Sequence, residues 1–95
     1  MRTLELSTAF KKDYKRAKKT PQHAQDVRAL YEAAALLLAE DKPLPHTYQD
    51  HALIGKWQGY RECHLKPDLL LIYRKEEPGI LRIARLNSHS ELFSR

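Results

Sequence analysis

Cysteine, glycine and long apolar runs are what this 95-residue chain has least of. Its one cysteine, Cys63, excludes an internal disulfide, which fits a reducing compartment and leaves the core to hold the fold unaided. Three glycines and five prolines exclude collagen-like and low-complexity readings, and 42% apolar with 31% charged residues is an ordinary globular balance. The longest unbroken apolar stretches, residues 33–39 and 69–73, fall far short of the roughly 18 to 20 residues needed to cross a bilayer. At the N-terminus Glu5 interrupts before any apolar segment builds up, so no secretory signal is expected and the protein is placed in the cytoplasm. A chain of 11.1 kDa is expected to bury about 65% of its extended surface, as one domain spanning residues 1–95.

Acidic residues are also in short supply. Seventeen Lys and Arg against twelve Asp and Glu give a formal charge of +5 and a pI near 9.5, an excess that favours polyanionic partners, nucleic acid first. Lys11, Lys12, Lys15, Arg16, Lys18 and Lys19 crowd one short segment with only Asp13 opposing them. A solvated helix face accounts for such a run as well as a nucleic-acid surface does.

Leu4 and Leu6 alternate with polar neighbours, predicting an opening strand that ends at a capping residue, Ser7 or Thr8. Phe10, Tyr14 and Ala17 then place one apolar stripe along a helix whose other faces are basic. Thr20-Pro21 predicts the start of a second helix, which Val27, Leu30, Tyr31, Ala34, Leu37 and Leu38 continue until Asp41-Lys42-Pro43 stops it. Residues 41–56, punctuated by Pro43, Pro45 and Gly55, read as a long ordered loop. Segments 57–65, 69–74 and 80–86 are rich in aliphatic and aromatic residues and are separated by turn-like Lys66-Pro67-Asp68 and Glu76-Glu77-Pro78-Gly79. They predict an antiparallel meander, and Asn87 or Ser88 is expected to cap one last turn.

Cleaving RNA without a metal requires deprotonating a 2′-OH, stabilising a phosphorane and protonating the departing 5′ oxygen, hence acid–base groups beside Arg or Lys. His51, His64 and His89 lie in the loop, at the end of the first meander strand and in the C-terminal turn, where side chains can converge above a sheet. Singly, each reads as readily as a surface histidine. His23 and His46 have no local reason to be more than that. A zinc site from His51, His64 and His89 with Asp68 or Cys63 lacks any tight C-x-x-C or H-x-x-x-H pair. Cys63 sits in opposite phase to His64 along the strand and reads as a buried apolar thiol rather than a nucleophile. Arg61 and Arg85 are suited to clamping phosphate, or else occupy the solvent face of their strands. Trp57 and Phe93 can stack on bases or seal the end of the sheet.

The string DHALIGKWQGYRECHLKPD at 50–68, followed by LLIY at 70–73 and NSHSELF at 87–93, resembles the YafQ-type toxins of the RelE/ParE superfamily of bacterial toxin–antitoxin modules. The resemblance covers nearly the whole chain. It implies an α+β fold in which two N-terminal helices pack on a mostly antiparallel sheet of about four strands, with the active cleft on the other side. It further implies a toxin that cleaves mRNA in the A site of the 70S ribosome, without metal or other cofactor, and is restrained by a cognate antitoxin. Operator DNA would be met only through the antitoxin complex, and no membrane partner is implied. Carried over by position, the catalytic set is His51, His64, Asp68, His89 and Phe93, with His89 as principal general acid. Asp68 would orient a neighbouring histidine, and Phe93 would brace a base. Arg61 and Arg85 would hold the scissile phosphate, and Lys11, Lys15 and Lys18 would grip ribosomal RNA. Glu62 stands where the family often has an acid one methylene shorter, and is a supporting candidate. The gyrase-poisoning branch of the superfamily supplies the competing reading, a non-enzymatic inhibitor of a target protein; a plain nucleic-acid-binding module is a third.

Overall fold

A computed structural model describes residues 1–88. The chain runs β1 (Thr3–Leu6), α1 (Thr8–Ala17), α2 (Val27–Ala39), β2 (His51–Ala52), β3 (Arg61–Lys66), β4 (Leu69–Glu76) and β5 (Ile80–Asn87). The strands form one sheet in the order β1-β5-β4-β3-β2. β1 runs parallel to β5, Thr3 opposite Ile80 and Leu6 opposite Ile83, and the other three pairings are antiparallel. The sheet therefore has five strands rather than about four. The extra one, β2, is two residues long and lies inside the segment read as a loop, too short to leave a period-two signature. Among the described residues no helix is long and apolar enough to cross a membrane.

Ser7 is the N-cap of α1: its Oγ accepts from the Phe10 amide at 2.9 Å and donates to the Ala84 carbonyl at 2.6 Å, so one hydroxyl both starts the helix and ties it to β5. Phe10, Tyr14 and Tyr31 form an aromatic trio with ring centroids 5.1 to 5.7 Å apart that joins α1 to α2.

The second helix does not start at Thr20-Pro21. Thr20 Oγ1 donates back to the Arg16 carbonyl instead of capping forward, and its own carbonyl takes the amides of His23 and Ala24, which curls residues 21–26 into turns. Lys66 holds this turn from β3, donating to the Gln22 carbonyl at 2.7 Å and lying 3.3 Å from Asp26. At its far end α2 stops near the expected place. Asp41 adopts φ 58°, and the amides of Asp41 and Lys42 reach back to the carbonyls of Leu38 and Leu37, a Schellman arrangement with Asp in the usual glycine position.

β3 begins at Arg61 rather than at residue 57. Trp57 belongs to a 3-10 turn, Gly55–Trp57, and Gly59 at φ 95° holds a conformation that a side chain would strain. Both helices cover one face of the sheet, burying Cys63, Leu71, Tyr73, Leu81, Ile83 and Leu86 against Phe10, Val27, Tyr31, Ala34 and Leu38. The opposite face has a smaller cluster, Leu70, Ile72 and Ala84, beneath Leu53, Trp57 and Tyr60. A register shift in the β4–β5 ladder pairs Ile72 with Arg85 but Tyr73 with Ile83. The extra residue in β5 lets Ile83 and Leu86 both face the helices and re-aims the side chains between them.

Candidate active site

Period-two alternation along β3 sends Arg61, Cys63 and Leu65 to the helix side and Glu62 and His64 to the other. His51 on β2 is the cross-strand partner of Glu62, so three chemically active side chains meet on one face. Glu62 is only 2% exposed. Its Oε1 lies 3.3 Å from His51 Nε2 and 3.6 Å from His64 Nε2, while Oε2 is buried without a hydrogen-bond partner among the described residues. Trp57 Nε1 is likewise buried and unpartnered among them, and its ring packs edge-on against Tyr60 over the smaller cluster, which is the sealing role rather than an exposed stacking platform.

His51 Nδ1 is 2.8 Å from the Gln49 carbonyl, which only accepts, so Nδ1 carries a proton. A neutral His51 would then turn a bare Nε2 lone pair toward the Glu62 carboxylate. The close approach is attractive only when a further proton sits between them, on Nε2 or on the carboxylate. His64 also rims a cleft of about 490 Å³ with Thr47, Tyr48, Lys66 and Pro67.

Arg61 does not join this cluster. Lying in phase with Cys63, its guanidinium pairs with Asp50 at 3.1 Å, and Asp50 also accepts from the Tyr73 hydroxyl on the helix side. Burial, with the Asp50 bond, pushes the Tyr73 hydroxyl above its ordinary range. Arg61 thus braces the residue before His51 instead of facing the histidines. Cys63 is fully buried, and burial pushes its thiol up to about 12.

Asp68, in the β3–β4 turn, accepts from Gln22 Nε2 at 3.0 Å and rims a separate cavity of about 360 Å³ with His23, Asn87 and Ser88. No described histidine is hydrogen-bonded to it, so the expected imidazole-orienting contact is not among the described residues. His89 and Phe93 lie outside the described residues. Lys11, Lys15 and Lys18 stand on the exposed side of α1, Lys18 with its ammonium 5.0 Å from the centre of the Tyr14 ring.

Arg85 meets a residue that the pattern reading passed over. Asp13, 3% exposed, accepts from Arg85 Nε at 2.7 Å and Nη2 at 3.1 Å, from Arg16 Nη2 at 2.8 Å and from the Leu86 amide at 3.0 Å. The signal was available: a lone carboxylate on the Phe10–Tyr14–Ala17 stripe, three residues after Phe10 and four before Ala17, is an acid aimed at the core. Asp50 was missed because nothing local marks it as the partner of Arg61.

The family model for the bacterial toxin of type II toxin–antitoxin systems, YafQ, matches residues 2–94. The chain belongs to the YafQ family. The mRNA interferase toxin YafQ of Escherichia coli is 40% identical over 92 residues, covering 97% of this chain and 96% of that one. A crystal structure of YafQ from E. coli superposes with a TM-score of 0.85 at 36% identity, covering 98% of this chain and 99% of that one. YafQ in the E. coli DinJ–YafQ complex superposes with a TM-score of 0.80 at 40% identity, covering 98% and 99%. The fold of the described residues, two helices on a five-stranded sheet, is thus shared with the YafQ structures it superposes on, and the chain is a toxin of the type II class.

Proposed function

We propose that this YafQ-family toxin is an endoribonuclease that cuts mRNA in the ribosomal A site and so stops translation. The observation that carries the reading is the His51–Glu62–His64 constellation, a buried carboxylate with two imidazoles on the face of the sheet opposite α1 and α2. The name mRNA interferase borne by the E. coli relative supports it. A buried carboxylate with an imidazole on either side supplies the acid–base groups that 2′-OH attack on the adjacent phosphate requires. One imidazole accepts the 2′ proton, and a protonated group returns one to the 5′ leaving oxygen. His64 is the base in this scheme and His89 the acid; Arg85 neutralises charge on the phosphorane and Phe93 braces the base of the message. Asp68, held by Gln22, shapes the rim beside Asn87 and Ser88. No step needs a metal: cleavage is expected to persist in a chelator.

The basic side of α1 docks the toxin on ribosomal RNA through Lys11, Lys15 and Lys18, separating recruitment from chemistry. Reversing those charges should weaken ribosome association and lower its salt slope by about one unit per lost phosphate contact. A cognate antitoxin restrains the toxin, as the E. coli DinJ–YafQ complex suggests, and operator DNA is bound only through that complex.

The test is to map transcript 5′ ends after brief induction of wild type, of His64→Ala and of wild type with translation blocked. Cuts at a fixed codon phase that vanish in both controls are expected. Growth arrest by His64→Ala without any cleavage would instead favour the inhibitor of a target protein.

A further inference from the structure

Asp13 is the least accessible carboxylate in the described chain after Glu62, and its setting is unusual for a position on the apolar stripe of α1. Four donors converge on its two oxygens. Oδ2 takes Arg85 Nε and the Leu86 amide, and Oδ1 takes Arg85 Nη2 and Arg16 Nη2. Stability alone does not call for this. A well-packed apolar residue commonly matches or exceeds a buried ion pair, whose desolvation offsets its Coulomb attraction. What a bidentate carboxylate adds is direction: it grips a planar guanidinium along one edge and fixes its plane and rotation. Asp13 itself is anchored to the β5 backbone through the Leu86 amide, so the clamp is rigid with respect to the sheet. The register shift beside Arg85 is a further sign that this side chain is aimed.

We propose that Asp13 is a positioning residue that orients the Arg85 guanidinium toward the scissile phosphate, an inference that rests on the ribonuclease reading above. Asp13 touches no substrate. It acts through Arg85, and because it partly neutralises that cation it contributes alignment in the transition state rather than attraction for the ground-state message. The kinetic mark is a fall in the cleavage rate on ribosome-bound message with little change in the ribosome concentration that half-saturates it.

The experiment is single-turnover cleavage of a defined message on programmed ribosomes by wild type, Asp13→Asn, Arg85→Lys and the double variant. Asp13→Asn should lower the maximal rate about 10-fold or more, with half-saturation held within about 3-fold. In the Arg85→Lys background the same change should have less than about a 2-fold effect, because its target is gone. Nitrogen-15 spectra supply a readout independent of turnover: the Arg85 Nε–H should exchange slowly with solvent in wild type and rapidly in Asp13→Asn. Should Asp13→Asn fail to fold, Asp13→Glu keeps the charge but displaces the plane, and it should slow cleavage while melting normally. Normal cleavage by a folded Asp13 variant, losses that multiply in the double variant, or a fast-exchanging Arg85 Nε–H in wild type would each overturn the proposal. A wild type that cleaves nothing on ribosomes would bring down the ribonuclease reading and this inference with it.

Discussion

Cys63 and Glu62 are neighbours on β3 and almost equally buried, yet they face opposite sides of the sheet and do opposite things. On the helix side, Cys63, Leu71 and Ile83 pack against Phe10 and α2, and burial of these side chains is hydrophobic stabilisation. On the other side, a carboxylate is buried with one oxygen lacking a partner among the described residues, an arrangement that works against stability unless charge nearby compensates it. On the proposed function the two faces divide the work: the helix face carries the fold, and it offsets the unfavourable local energetics of the face proposed to carry the chemistry.

The contrast is most severely tested from the helix side. Phe10→Ala, at the centre of the aromatic trio, should cost about 3 to 5 kcal/mol in urea unfolding, a large part of what a small domain has. Activity should then fall only in step with the folded fraction. Glu62→Gln should do the reverse. Cleavage is expected to drop about 100-fold as the carboxylate between the two imidazoles is lost, while the melting temperature holds or rises because a neutral amide replaces a buried carboxylate. A large drop in melting temperature with cleavage intact would mean that the two faces are not divided in this way.

Smaller effects sharpen the picture. With its thiol pushed up to about 12 by burial, Cys63 should resist a thiol reagent in the folded toxin and label only at the unfolding rate, as urea-jump labelling can show. The smallest effect belongs to the rim. Lys75 and Arg2 hold the Asp41 carboxyl at about 2, and Arg82 and Arg74 hold that of Glu76 at about 2. Both values are depressed relative to the unfolded chain. Their contribution is therefore complete above the ordinary carboxylate range near pH 4 and disappears as pH falls through about 2. A modest fall in melting temperature over that window, shrinking with added salt, is the expected result.

Much of this was legible because it is periodic. β1, α1 and the body of α2 announce themselves by alternation or by helical spacing over several residues, and β4 and β5 as apolar runs set between turn residues. What failed to show was local competition and long-range pairing. Thr20 has the look of a forward cap and bonds backward instead. β2 is defined by His51 facing Glu62 across the ladder, a relation no window of neighbouring residues contains. In the site, the sequence pattern brings His51 and His64 together, but the phase of Arg61 with Cys63 points it away from them. Asp13 reads by charge as one against six, yet its place on the stripe matters more than its sign.

The placement of β5 bears on how such a molecule is made. It follows every other described element, yet it lies between β1 and β4, and among the described residues the first strand has no other ladder to join. Until Ile80–Asn87 has been synthesised, the opening strand has nothing to pair with and α1 has no strand to be tied to through Ser7. Arg85 arrives with that same segment. A nascent copy that lacks this segment is thus an incomplete sheet, without the arginine that the proposed mechanism sets against the scissile phosphate, and on that reading activity waits for the sheet to close.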